Sequence, residues 1–103
     1  GEAQRASLAR ALVLDPELLL LDEPFMALDP PARARLLDDL QVLLRPGRRT
    51  ALLVTHNLRE AAMLADRVAV ILGGKLRQVG TARQVKSRPA DGEVAAFLRS
   101  MPR

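Results

Sequence analysis

The sequence predicts an α/β fold: a small parallel sheet flanked by helices, followed by an antiparallel β-hairpin and short helices. Three observations carry that expectation. Leu18-Leu19-Leu20-Leu21 is apolar on both pleat faces, which suits a parallel strand covered by helices on each side. A second apolar run, Ala51 to Val54, follows a stretch of helical periodicity, the order of a β-α-β unit. Gly73-Gly74 separates two further short runs and is the two-residue signature of a tight hairpin, whose turn needs positive φ.

Ala3 to Leu14 opens the chain with helix-forming composition, and Leu8, Ala9, Leu12 and Val13 recur at spacings that make one apolar face before Asp15-Pro16 stops it. The Leu18 to Leu21 strand follows. Asp29 then offers an N-cap with Pro30 at the first helical position, and Leu36, Leu37, Leu40, Leu43 and Leu44 continue an amphipathic helix that Arg45-Pro46-Gly47 ends. Thr50 to Thr55 is the second strand. Asn57, with Glu60 three positions later, resembles a capping box that opens a helix through about Ala65. Val68 to Leu72 and Lys75 to Val79 form the hairpin. Thr81 and Gln84 suggest another capped helix, Pro89-Ala90-Asp91 leads into a last one over Glu93 to Leu98, and Ser100 to Arg103 is expected to fray.

At 103 residues the chain is one small domain or part of one. It has no cysteine, so disulfide frameworks and thiolate metal sites are excluded, and a reducing compartment, the cytoplasm, is expected. No apolar run approaches the roughly 20 residues that cross a bilayer, and Gly1-Glu2-Ala3-Gln4-Arg5 carries no signal-peptide core; a soluble or peripheral chain is expected. The formal charge of +4 does not point to nucleic acid, because the arginines are interspersed with Glu2, Asp38, Asp39, Glu60 and Asp66. Phe25 and Phe97 are the two aromatic residues, too few for base-stacking platforms.

The chemistry-bearing residues gather at strand ends. Asp22 and Glu23 close the leucine run, and in open α/β sheets ligands bind beyond the carboxyl ends of the strands. The plainer alternative is a buried strand followed by an acidic turn. Asp29 lies a few residues further on, and the second strand ends in Thr55-His56, so two strands end in chemically competent side chains. No phosphate-binding loop of the form G-x-x-x-x-G-K-[ST] occurs; Gly73-Gly74-Lys75 is followed by Leu76 and reads as the hairpin turn.

In this order and spacing the residues resemble the carboxyl-terminal part of an ATP-binding-cassette ATPase subunit, the motor of ABC transporters, over nearly the whole chain. Gly1-Glu2-Ala3-Gln4-Arg5, continuing through Leu12, is similar to the end of the family signature. Leu18 to Glu23 resembles its Walker B strand, Ala27-Leu28-Asp29 its D-loop and Val54-Thr55-His56 its switch-histidine segment. The resemblance implies a single partial ATPase domain over residues 1–103. Its fold would be a partial P-loop NTPase (RecA-like) parallel sheet flanked by helices, with a carboxyl-terminal hairpin and short helices. The missing loop's strand would lie between the strand ending at Thr55 and that starting at Val68, leaving two inner edges unpaired.

The implied cofactors are ATP and Mg²⁺. Phosphoryl transfer to water needs neutralised phosphate charge and an oriented nucleophile, with little covalent work for the protein. By resemblance Asp22 would hold Mg²⁺ through water, Glu23 would polarise the attacking water as general base, and His56 would sense the γ phosphate. Asp29 would act across a dimer interface, while Gly1 and Glu2 belong to the segment that caps ATP bound by the opposite subunit. Each has a structural alternative: Asp29 is a good N-cap, Gly1 is simply the first residue, and a histidine after a strand is often structural.

Implied partners are a second ATPase subunit in a homodimer, transmembrane permease subunits and, indirectly, a solute-binding protein, with the motor peripheral on the inner face of the cell membrane. Phe25 to Pro30 and the tail motifs Gly80 to Val85 and Arg88 to Asp91 are most similar to bacterial import subunits for oxyanions such as tungstate, molybdate or sulfate, or for polyamines. Asn57 stands where the family more often has Asp, and Met26 where importers often have Ser. A non-transport member of the superfamily is an alternative, although translation-factor members usually carry Thr-Asn-His in place of Phe25-Met26-Ala27, and DNA-repair members carry a coiled coil upstream of the signature. The chain by itself, without a phosphate-binding loop, is expected to be a catalytically inactive fragment that folds poorly.

Overall fold

The computed structural model describes residue 10, residues 17–44 and residues 50–101. The helix expected over Ala3 to Leu14, its stop at Asp15-Pro16 and the terminator Arg45-Pro46-Gly47 lie outside the described residues, except Arg10, which is helical. Contacts divide the chain into two units, Gly1–Thr55 and His56–Arg103.

In the first unit, strand β1 (Leu18–Asp22) pairs in parallel with β2 (Thr50–Val54), with Leu20 opposite Leu52 and Asp22 opposite Val54. Helix α1 (Pro30–Leu43) joins them in sequence. It starts as its residues dictate: Asp29 is extended, its Oδ1 accepts from the Ala32 N–H at 2.8 Å, and Pro30 and Pro31 occupy positions where helical N–H groups have no partner within the helix. Its buried residues are Ala32, Leu36 and Leu40, and Leu19, Phe25 and Leu28 are buried in the same unit.

One expectation about β1 does not hold. Successive side chains of a strand point to opposite faces, and here Leu19 is buried whereas Leu18 is 54% and Leu20 65% exposed. On β2, Leu52 opposite Leu20 and Val54 opposite Asp22 are also exposed. The described sheet therefore has one covered apolar face and one open one, not two covered faces.

The second unit starts with helix α2 (Leu58–Leu64), capped by Asn57, whose Oδ1 accepts from the N–H groups of Arg59 (3.0 Å) and Glu60 (3.2 Å). Strands β3 (Val68–Leu72) and β4 (Lys75–Gly80) form the antiparallel hairpin, its turn made by Gly73 and Gly74 at φ +58° and +74°. This left-handed pair is the type I′ geometry that matches strand twist. The register shifts between Val70 and Ile71 of β3, which pair with Gln78 and Leu76, so Arg77 is the extra residue of a bulge on β4. Among the described residues β1–β2 is one two-stranded sheet and β3–β4 another.

Helix α3 (Ala82–Ser87) opens with a reciprocal capping box: Gln84 N–H donates to Thr81 Oγ1 (3.1 Å) and Thr81 N–H to Gln84 Oε1 (2.9 Å). A Cβ on Gly80 would lie 2.9 Å from that same Gln84 Oε1, so a side chain there would make the amide end of Gln84 shift. Helix α4 (Gly92–Ser100) is capped by Asp91 and is longer than the expected Glu93 to Leu98. Ser100, expected to fray, is its last residue and donates from Oγ to the Phe97 carbonyl at 2.6 Å. Val70, Val85 and Val94 make the core here, with Val68, Leu72, Phe97 and Leu98 packed against it.

Candidate functional site

Asp22 and Glu23 stand where the sequence expects them, at the carboxyl end of β1 and beside the end of β2. Asp22 is the last ladder residue and is exposed. The chain does not leave the sheet there: the Glu23 N–H donates to the Val54 carbonyl at 2.8 Å, one position beyond the strand. Glu23 itself adopts φ +48°, in the left-handed region that costs an L-residue with a Cβ about 1–2 kcal/mol. Such backbone is concentrated at functional sites, where the surroundings must over-determine it. Its carboxylate is half-buried, with Oε1 shielded from solvent, whereas the Asp22 side chain faces out.

The turn from Glu23 to Leu28 holds this geometry. Met26 N–H donates to the Glu23 carbonyl (3.1 Å) and Leu28 N–H to the Phe25 carbonyl (3.3 Å). Phe25 and Leu28 are buried and anchor the turn, while Met26 is exposed and Ala27 takes a second left-handed conformation at φ +65°. Asp29 follows directly. Its Oδ1 is engaged in the α1 cap, and its carbonyl accepts from the Arg33 N–H at 2.9 Å. The structural alternative for Asp29 is thus realised.

β1 and β2 end on the same edge of their parallel pair, one in Asp22-Glu23 and the other in Val54-Thr55. His56, the next residue, belongs to the second unit, where it is exposed and precedes the Asn57 cap of α2. Gly1 and Glu2 lie outside the described residues.

No group of three or more His, Cys, Asp or Glu side chains among the described residues is arranged to hold a metal ion.

Sequence reading missed four features: the left-handed backbone of Glu23, the anchoring role of Phe25, the bond from Arg33 Nη2 to the Phe25 carbonyl (3.4 Å), and the burial of Glu60. A phenylalanine amid exposed turn residues was the one visible signal among them. Among the described residues, no helix is long and apolar enough to cross a membrane.

No family model matches the chain. Individual relatives do. A molybdate/tungstate import ATP-binding protein of Thermococcus kodakarensis is 54% identical over 98 residues, which are 95% of this chain and 30% of that protein. A sulfate/thiosulfate import ATP-binding protein of Nocardia farcinica is 48% identical over 103 residues, all of this chain and 31% of that protein. The glycine betaine/proline betaine transport system ATP-binding protein of Escherichia coli is 41% identical over 101 residues, 98% of the chain and 25% of its own length. The chain therefore spans about a third or less of the relatives it matches.

Proposed function

We propose, from the premise that the chain belongs to the family of ATP-binding subunits of ABC importers, that it supplies the carboxylate half of an ATP-hydrolysing motor that energises solute import. The observation that carries this reading is the end of β1: an outward Asp22 beside an inward, left-handed Glu23 whose backbone is tied to the neighbouring strand. Two adjacent carboxylates held in different environments can divide two tasks.

Asp22, exposed at the sheet edge, would hold Mg²⁺ through water. The ion supplies neutralisation of phosphate charge. Glu23, half-buried and on a backbone tied to Val54, would orient and deprotonate the attacking water. His56 would contact the γ phosphate and report its presence, and Asp29 would act at the interface with a second ATPase subunit while capping α1. Gly1 and Glu2 would cap the nucleotide held by that second subunit. The phosphate cradle must come from outside these 103 residues, since they contain no phosphate-binding loop. A parallel sheet with a separate hairpin is compatible with part of a P-loop NTPase fold, in which a further strand would join β2 to β3.

The motor would work as a homodimer on the inner face of the membrane, with permease subunits and, through them, a solute-binding protein. The solute we propose is an oxyanion of the molybdate, tungstate or sulfate class. Support comes from relatives named for those ions, although one relative is named for betaines, as expected if substrate choice lies outside the motor.

Reconstitution of the full-length subunit with its permease in proteoliposomes tests the reading. ATP hydrolysis coupled to molybdate or sulfate uptake is expected. Nucleotide binding without hydrolysis in the presence of Mg²⁺, permease and solute would contradict it.

A further inference from the structure

The structure assigns a positioning role to Arg33, which we infer holds Glu23 in its working conformation through the carbonyl of Phe25. This rests on the proposed reading of Glu23 as the base. The turn Glu23 to Leu28 contains two left-handed residues that are not glycine, Glu23 at φ +48° and Ala27 at φ +65°. Backbone of that kind persists only where its surroundings fasten it.

The fastenings come from both sides. From the sheet, the Val54 carbonyl takes the Glu23 N–H at 2.8 Å. From within, Met26 N–H reaches the Glu23 carbonyl and Leu28 N–H the Phe25 carbonyl, and the Phe25 ring is 3% exposed. From α1, the Arg33 guanidinium donates through Nη2 to that same Phe25 carbonyl at 3.4 Å, in a part-buried setting. The Phe25 carbonyl is therefore shared by a donor of the turn and a donor of the helix.

Arg33 is also tied at its backbone, where its N–H donates to the Asp29 carbonyl in the first turn of α1. The side chain thus links the helix that Asp29 caps to the turn that Glu23 opens. A displacement of α1 at its Asp29 end is transmitted to the Phe25 peptide, two residues from the base, without any contact between Arg33 and substrate. The bond is long, so its loss is partial in effect: removing one donor of this kind should reduce turnover about three- to tenfold.

The test uses the full-length subunit carrying Arg33→Met, which keeps an unbranched apolar stem and removes the donors, beside Arg33→Lys and Glu23→Gln. Steady-state hydrolysis and thermal midpoint are measured for each. The expected result is a kcat lowered about three- to tenfold in Arg33→Met with KM for ATP and thermal midpoint unchanged, and partial recovery in Arg33→Lys. A purely structural arginine would lower the midpoint or move KM with kcat, and either result overturns the proposal. Arg33→Met at parental kcat while Glu23→Gln is inactive overturns the role of Arg33 alone. Glu23→Gln at parental rate overturns the reading of the base, and the role of Arg33 with it.

Discussion

The amide of Glu23 donates to the carbonyl of Val54 at 2.8 Å, so the ladder between the two parallel strands continues one residue past the end of β1. That bond comes where the chain turns left-handed, and it makes Glu23 part of the sheet in its backbone while leaving it part of a turn in its φ angle. Asp22, on the other pleat face, faces out. Adjacent residues at one strand end are in this way given different surroundings, Asp22 by the alternation of the strand and Glu23 by the turn it opens.

If His56 contacts the γ phosphate, its loss should weaken the step more than binding. In the full-length subunit, His56→Ala is expected to lower ATP turnover by roughly tenfold or more with nucleotide affinity changed much less. Parallel measurement of kcat and nucleotide Kd checks this; a Kd that rises as steeply as kcat falls would assign His56 to binding.

The core of the second unit rests on small contacts among valines. Val85 and Val94 are fully buried, so Val85→Ala removes two methyl groups from a site with little room to relax. A loss of about 1.5–3 kcal/mol in unfolding free energy is expected. Denaturant unfolding of the full-length protein checks it, and an unfolding free energy equal to the parent's would contradict it.

Arg77 forks onto two carboxylates, Asp91 at 2.6 Å and Glu93 at 3.5 Å. Asp91 is held below its ordinary carboxylate value first by the Val94 N–H it accepts as N-cap of α4, then by Arg77. A lowered carboxylate contributes stability that is complete above pH 3.8 and lost as pH falls through the lower value in the fold. Asp91→Asn keeps a capping side chain without the charge. Its thermal midpoint should fall furthest behind the parent above pH 3.8, and the gap should close on acidification. A gap independent of pH would mean that the cap alone matters.

Much of this architecture could be read from the chain because local chemistry and global fold agree. Gly73-Gly74 allows a turn few other pairs can make, and Asp29-Pro30 can start a helix with no tertiary help. The position of Asp22 and Glu23 at the end of β1 was legible too, since an apolar run that stops at charged residues marks a strand end. Four consecutive leucines, by contrast, carry no alternation, so nothing in Leu18 to Leu21 says which face is covered. The left-handed Glu23 was equally hidden, because a non-glycine residue takes that conformation through bonds such as those to Val54 and Met26 and not from its own preference. Ser100 extended α4 past the expected end by bonding back to Phe97, a contact that depends on the helix already being there.

The division of labour at the end of β1 is tested most directly by Glu23→Gln in the full-length subunit, with Mg·ATP binding and steady-state hydrolysis measured on the same preparation. Glutamine keeps the shape and the backbone amide bonded to Val54 but cannot take a proton. Binding close to parental with hydrolysis reduced at least a hundredfold is the predicted result. Hydrolysis at the parental rate would contradict the assignment of Glu23 as the base.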